Sequence, residues 1–122
     1  MGDFEDVIST RFPYLDMAVQ VRGWQNSGFA LIDTGYTGNL IIPAYLGIDA
    51  FEAHDGHFHV VLGDGRSSVE APFCMGDNQL IGFPAITEVE IISLGDEYIL
   101  GRGILDRFEI VLDHGQRVIL RA

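Results

Sequence analysis

"FALIDTGYTGNLIIP", residues 29–43, decides how the rest of the chain is read. Four apolar residues run into Asp33, and an apolar run resumes at Leu40 after a short polar patch. Runs that are apolar on both faces suit strands passing through the middle of a domain. An aspartate directly behind such a run is carried by a strand end toward an apolar interior, where an isolated carboxylate is costly to ionise. Gly35 and Gly38 allow sharp turns. The pattern therefore places a carboxyl on a tight loop between two buried strands. An aspartate so placed can also act as a plain turn cap, accepting from backbone amides two residues on. The apolar flanks weigh against that reading, because an ordinary turn lies at the surface.

Outward from this loop, turn signals recur at Arg22-Gly23, Asn26-Ser27-Gly28, Asp55-Gly56, Gly63-Asp64-Gly65, Gly76-Asp77-Asn78, Gly95-Asp96 and His114-Gly115. Runs of strand length lie between them. In "LDMAVQVR", Leu15, Met17, Val19 and Val21 alternate with polar or small residues, the period of a half-buried strand. "HFHVVLGDGRSSVEAPF" reads as a hairpin with its tip at Gly63 to Arg66, where two glycines permit positive backbone angles. "AITEVEIIS" and "FEIVLDHGQRVILR" supply further strands, the latter a hairpin turning at His114-Gly115. Two places read as helical: "PAYLGIDAFEA", which opens with a proline suited to a first turn, and "GRGILDRF", with Ile104, Leu105 and Phe108 at helical spacing. The expectation is one all-β domain over residues 1–122 with one or two short helices.

Composition narrows the function classes. A chain of 122 residues fits one core. No apolar block approaches the 18 or more residues of a membrane span, so no membrane partner is expected. The charge of −11, from 18 acids against 7 bases, opposes binding to a phosphate backbone, so nucleic acid is excluded. Basic ligands would be attracted, although acids spread along the chain chiefly describe a solvated surface. "MGDFEDVIST" lacks the basic start and apolar middle of a secretory signal, and a cytoplasmic address is expected. The lone Cys74 cannot form an internal disulfide, and its neighbours Phe73 and Met75 suggest a buried, inert thiol.

"ALIDTGYTGNLIIP" resembles the active-site segment of aspartic proteases, in particular the single-domain retropepsins and their bacterial relatives. "YILGRGILDRF", residues 98–108, resembles the apolar-apolar-Gly-Arg segment and following short helix near the end of retropepsins. The "VVLGDGRSSVEA" hairpin stands between them, where that family has its flap. The resemblance implies a closed acid-protease barrel with a flap, active as a symmetric dimer on peptide or protein substrates and without a cofactor. It makes Asp33 the catalytic aspartate, with Thr34 and Gly35 completing the loop and the Thr34 hydroxyl bonding across to the partner loop. Tyr36 and Thr37, with Gly63, Asp64 and Gly65 at the flap tip, would contact substrate. Ile99, Leu100 and Gly101 would thread beside the loop, and Arg102 would begin the helix.

The chain departs from the viral pattern at Tyr36, where a small residue is common. It departs again at Thr37, where viral enzymes often carry an acid pairing with the helix arginine, and at Gly103, where they usually have asparagine.

The chemistry needs two carboxyls close enough to share one proton, since like charges at that distance cannot both ionise. No second Asp-Thr-Gly exists in the chain, so one chain is half an enzyme and a two-fold homodimer is expected. "VILRA", residues 118–122, reads either as an interface strand or as a simple edge strand. A reading from another class is a protease-like fold serving as a peptide-binding or dimerisation module with little catalysis.

Other constellations carry less. His54, His57 and His59 in "HDGHFH" invite a metal reading, but on a strand only His57 and His59 share a face, opposite Phe58, Val60 and Leu62. Two ligands leave a tetrahedral set incomplete unless Asp55 folds back, so no metal is expected. "LGDGRSS" lacks the lysine and following helix of a phosphate loop, and no serine has a nucleophile-elbow context. Trp24 beside Gly23 reads as a hairpin-end aromatic on the core.

Overall fold

In the computed structural model, which describes residues 5–46 and 54–122, strand periodicity governs most of the chain. Strands β1 (Val7–Ser9), β2 (Tyr14–Val21), β3 (Trp24–Ile32), β4 (Leu40–Ile42) and β5 (Gly56–Val61) form the first half. Strands β6 (Ser68–Leu80), β7 (Ile86–Ser93), β8 (Tyr98–Leu100), β9 (Glu109–Asp113) and β10 (Arg117–Arg121) form the second. Helix α1 covers Arg102–Leu105, and a 3-10 turn covers Ala44–Leu46. With 57% of residues in strands and 6% in helix, the chain is all-β as expected. Of the helical reading over 43–53, only the 3-10 turn is observed, and 47–53 lies outside the described residues. The reading over 101–108 is realised as α1 followed by a turn.

Six strands close a barrel in the order β2-β3-β8-β4-β7-β6, with β6 returning to β2 through the register Met17 with Leu80 to Gln20 with Asp77. The length of β6 makes the closure possible. Its first residues pair with β5, its middle with β7 and its end with β2. The β5–β6 hairpin therefore projects from the barrel wall, as the flap reading requires. A separate sheet has the order β1-β10-β9.

The alternation in β2 holds: Leu15, Met17, Val19 and Val21 are each no more than 1% exposed. Leu40 and Ile42 of β4, Ile91 of β7 and Leu100 of β8 join them in the main core, together with Ile104 from α1. The intervening residues Ile41, Ile92 and Ile99 point the other way, into a second cluster with Ala71, Phe58, Val60 and Phe73. Successive strand side chains face opposite sides, so the same strands serve two apolar faces.

Three expectations need correction. β3 was read as apolar on both buried faces, yet Phe29 stays 40% exposed because no element fully covers its outer side. The Arg11 guanidinium lies over its ring at 4.6 Å instead. "VILRA" is neither edge nor terminus of its sheet, since β10 pairs with β1 on one side and β9 on the other. Val118 and Leu120 are buried in the main core, which holds that strand in the middle. At the flap tip only Gly65 takes a positive φ, and Gly63 does not.

Candidate active site

The loop from Asp33 to Asn39 leaves β3 and must reach β4, but β8 lies between those two strands. Leu100, at the end of β8, opposes Ile32 on one side and Leu40 on the other. The loop therefore arches over the end of β8, and the chain leaving β8 threads beneath it. Buried backbone polar groups need partners, and the two segments supply one another. The Asp33 amide donates to Leu100 O at 3.0 Å, and the Gly101 amide to Asn39 O at 2.8 Å. The Arg102 amide donates to Tyr36 O at 2.7 Å and the Gly103 amide to Gly38 O at 2.9 Å.

This crossing explains the glycines in "LGRG". A Cβ on Gly101 would collide with Gly38 O and the Tyr36 ring, and one on Gly103 with the Asn39 side-chain oxygen. Gly103, a departure from the viral pattern, thus makes room for Asn39. Gly35 lies in a turn and Gly38 in a bend, as expected, although neither takes a positive φ. Gly38 is needed for space, because the Tyr36 phenol lies directly against it.

Asp33 is half-buried at the start of the arch, while Thr34 and Gly35 are exposed in this single chain, so the loop is less buried than its apolar flanks implied. Asp33 Oδ1 accepts from the Gly35 amide at 2.9 Å, which is the turn-capping bond. Among the described residues Oδ2 accepts none, so one carboxylate oxygen is available. The Thr34 hydroxyl likewise makes no bond among them. Arg102 begins α1 as expected, but its guanidinium pairs with Asp106 one turn on at 3.4 Å. Its backbone amide, not its charge, holds the loop, which fits the absence of an acid at Thr37.

Opposite the arch lies the flap. Asp33, Gly35, Tyr36, Thr37, Gly63 and Gly65 all line one cleft of about 780 Å³ between arch and flap. Asp64 does not line it. Its carboxylate turns back to accept from the Arg66 amide at 2.9 Å, the Ser67 amide at 2.8 Å and the Ser67 hydroxyl at 2.6 Å. The Ser67 hydroxyl above all, then these amides, holds its pKa down to about 2. Asp64 builds the flap tip. Leu100 and Gly101 are buried beneath the loop, and Arg102 is exposed.

The cleft is walled by apolar side chains, Ile41, Phe58, Val60, Leu62, Ile92, Leu94 and Ile99. Glu90 on β7 and Asn39 also line it, and sequence reasoning singled out neither. The available signal was phase: Glu90 and Ile92 fall on the strand face opposite Val89 and Ile91. Tyr36 is half-buried, and its phenol is pushed up to about 12, by burial first and by the Glu90 charge second.

Phe58 and Val60 turn inward and His57 and His59 outward, as the strand reading predicts. The His54 ring meets His57 edge-on at 4.4 Å, while His59 stands 3.4 Å from Glu70 across the hairpin. Both Asp55 carboxylate oxygens are engaged elsewhere, one by Arg22 and the other by the Met75 amide at 2.8 Å. Among the described residues no three His, Cys, Asp or Glu side chains gather as a metal site. Cys74 is fully buried, its sulfur accepting from Arg22 at 3.3 Å, and burial pushes the thiol up despite that cation. No helix among the described residues is long and apolar enough to cross a membrane.

No known family profile and no curated protein matches the sequence. The shape does match: a closed barrel, a projecting flap and an Asp-Thr-Gly arch define the retropepsin-like fold, and this chain has it. A crystal structure of a retropepsin-like aspartic protease from Rickettsia conorii superposes with a TM-score of 0.64 over 98% of this chain and 92% of that one, at 17% identity. At that identity the likeness is one of fold.

Proposed function

We propose that residues 1–122 form one aspartic endopeptidase domain that works as a homodimer, each subunit supplying one Asp33. The observation that carries this reading is a carboxylate with a free oxygen on a backbone-clasped loop, facing a flap across an apolar cleft. Two such carboxyls brought together by a two-fold axis share one proton. The charged one takes a proton from water, and the protonated one donates to the scissile carbonyl as the water attacks. In this reading the Thr34 hydroxyl, exposed in the single chain, would bond to the partner's loop, and the flap residues Gly63 and Gly65 would close over the peptide.

The turn-capping bond to Gly35 favours a second reading, a peptide-binding module in which Asp33 only shapes the loop. One experiment separates them. Asp33→Asn keeps the capping oxygen and removes the acid, so hydrolysis of an unstructured peptide library, read as new termini by mass spectrometry, is expected to vanish while the fold persists. Cleavage at the wild-type rate would end the peptidase reading. Light scattering is expected to give the mass of two chains, and a strict monomer would leave the dyad unbuilt.

A further inference from the structure

Glu90 is a carboxylate in the cleft that the hydrolytic chemistry does not use. It sits on β7 opposite Met75 of β6, in phase with Ile92 and Leu94 on the cleft face. It is half-buried, and among the described residues it makes no hydrogen bond and no ion pair. It lines the same cleft as Tyr36, whose phenol its charge helps to push up. The titratable residues at the cleft are Asp33, Tyr36, Glu90 and His59, the last with its ring turned outward from the flap, and no lysine or arginine is among the lining residues described. His59, at the flap edge, is already opposite Glu70. The cleft it lines is largely apolar, with Ile41, Ile92, Leu94 and Ile99 among its walls and Thr37 and Asn39 as polar members.

An unpaired carboxylate in a largely apolar cleft is selective toward a ligand. Lysine and arginine fit it best, because their methylene stems cover apolar surface while the cationic head meets the acid. An acidic side chain in the same place would face like charge, so the site also rejects. The net charge of −11 draws basic peptides toward the protein from a distance.

We propose that Glu90 is a specificity-determining residue that takes a lysine or arginine side chain of the bound peptide, so that preferred ligands join a basic residue to apolar neighbours. The proposal rests on the cleft being a peptide site, and it holds whether or not the peptide is then cut.

The test uses full-length Asp33→Asn protein, so that peptides are held rather than cleaved, and fluorescence anisotropy as the readout. Apolar peptides carry lysine, norleucine or glutamate at one position, scanned along the chain. At one position lysine should bind about tenfold tighter than norleucine, and glutamate weaker than either. The lysine advantage should shrink as salt is raised. Adding Glu90→Gln should erase it, and Glu90→Lys should turn the preference toward glutamate. Equal binding of lysine and norleucine at every position overturns the proposal, as does an advantage that survives Glu90→Gln. The peptide exchange stands alone should either variant fail to fold. Binding of no peptide removes both this inference and the peptide-site reading. Selective binding with no cleavage by wild-type protein removes only the hydrolysis.

Discussion

Replacing Gly101 with alanine should loosen the Asp33 loop without touching any acid. The added methyl would meet Gly38 O and the Tyr36 ring, with Tyr36 O at 2.8 Å. Two of these three atoms are backbone, so no rotamer change relieves the clash. Either the crossing is compressed, at about 1–3 kcal/mol for overpacking, or the loop lifts. Lifting stretches the three bonds of 2.8, 2.7 and 2.9 Å donated by Gly101, Arg102 and Gly103, each contributing about 1 kcal/mol net. Both routes converge on a loss of about 2–3 kcal/mol. With a urea slope of about 2 kcal/mol/M, the unfolding midpoint should fall by about 1–1.5 M. Protein concentration must be held fixed, because the proposed dimer would make stability depend on it.

Gly63→Ala is the matched control. Its methyl would have no heavy atom within 4 Å, so a change within about 0.5 kcal/mol is expected. The Gly101 variant should also cleave more slowly by about a hundredfold, because a displaced arch carries Asp33 with it through the bond to Leu100. An unfolding midpoint for Gly101→Ala no lower than that of Gly63→Ala, with unchanged amide exchange from Asp33 to Asn39, would refute the clasp.

Two titrations follow from the same geometry. The Ser67 hydroxyl and neighbouring amides lower Asp64 from 3.8 to about 2, so its contribution to the flap tip is complete above 3.8 and lost as pH falls through about 2. The Arg66 and Ser67 amide resonances should shift with a midpoint at about 2, and a midpoint at the ordinary aspartate value of 3.8 would contradict the loop. Tyr36 is raised from 10.0 to about 12, by burial first and Glu90 second, so its packing is fully stabilising below 10.0 and is lost as pH rises through about 12. In ultraviolet titration, Tyr36→Phe should remove a step at about 12; an unchanged curve there would mean that the ring does not pack as described.

The strand alternation that builds the barrel was legible because burial on one face repeats every second residue, as in Leu15, Met17, Val19 and Val21. The arch was legible for a similar reason: apolar runs on both sides of Asp33 become β3 and β4. What escaped was the second face. Ile41, Ile92 and Ile99 look in sequence like surplus core, and only the topology shows that they floor a cleft. Glu90 was hidden among 18 acids because phase along β7 means nothing until one knows that both faces are covered. Asp64 was legible as a flap-tip residue, but not the way its carboxylate is tied to Ser67 and the Arg66 amide, a contact that only the folded hairpin shows.

The way the arch is held bears on the low identity to the Rickettsia conorii protease. The arch is fixed by main-chain bonds to the segment beneath it and by glycines that permit close approach. Those bonds ask almost nothing of the side chains around them: Arg102 contributes its amide while its guanidinium pairs elsewhere. Main-chain geometry of this kind can persist while most side chains change, consistent with a TM-score of 0.64 at 17% identity. The side chains on the cleft face, Glu90 among them, take no part in the main-chain bonds that hold the arch. If the cleft holds a peptide, the clasped segment would position the acid and the cleft-face side chains would select the ligand, which is why the basic-peptide preference is sought on β7 and not in the Asp-Thr-Gly loop.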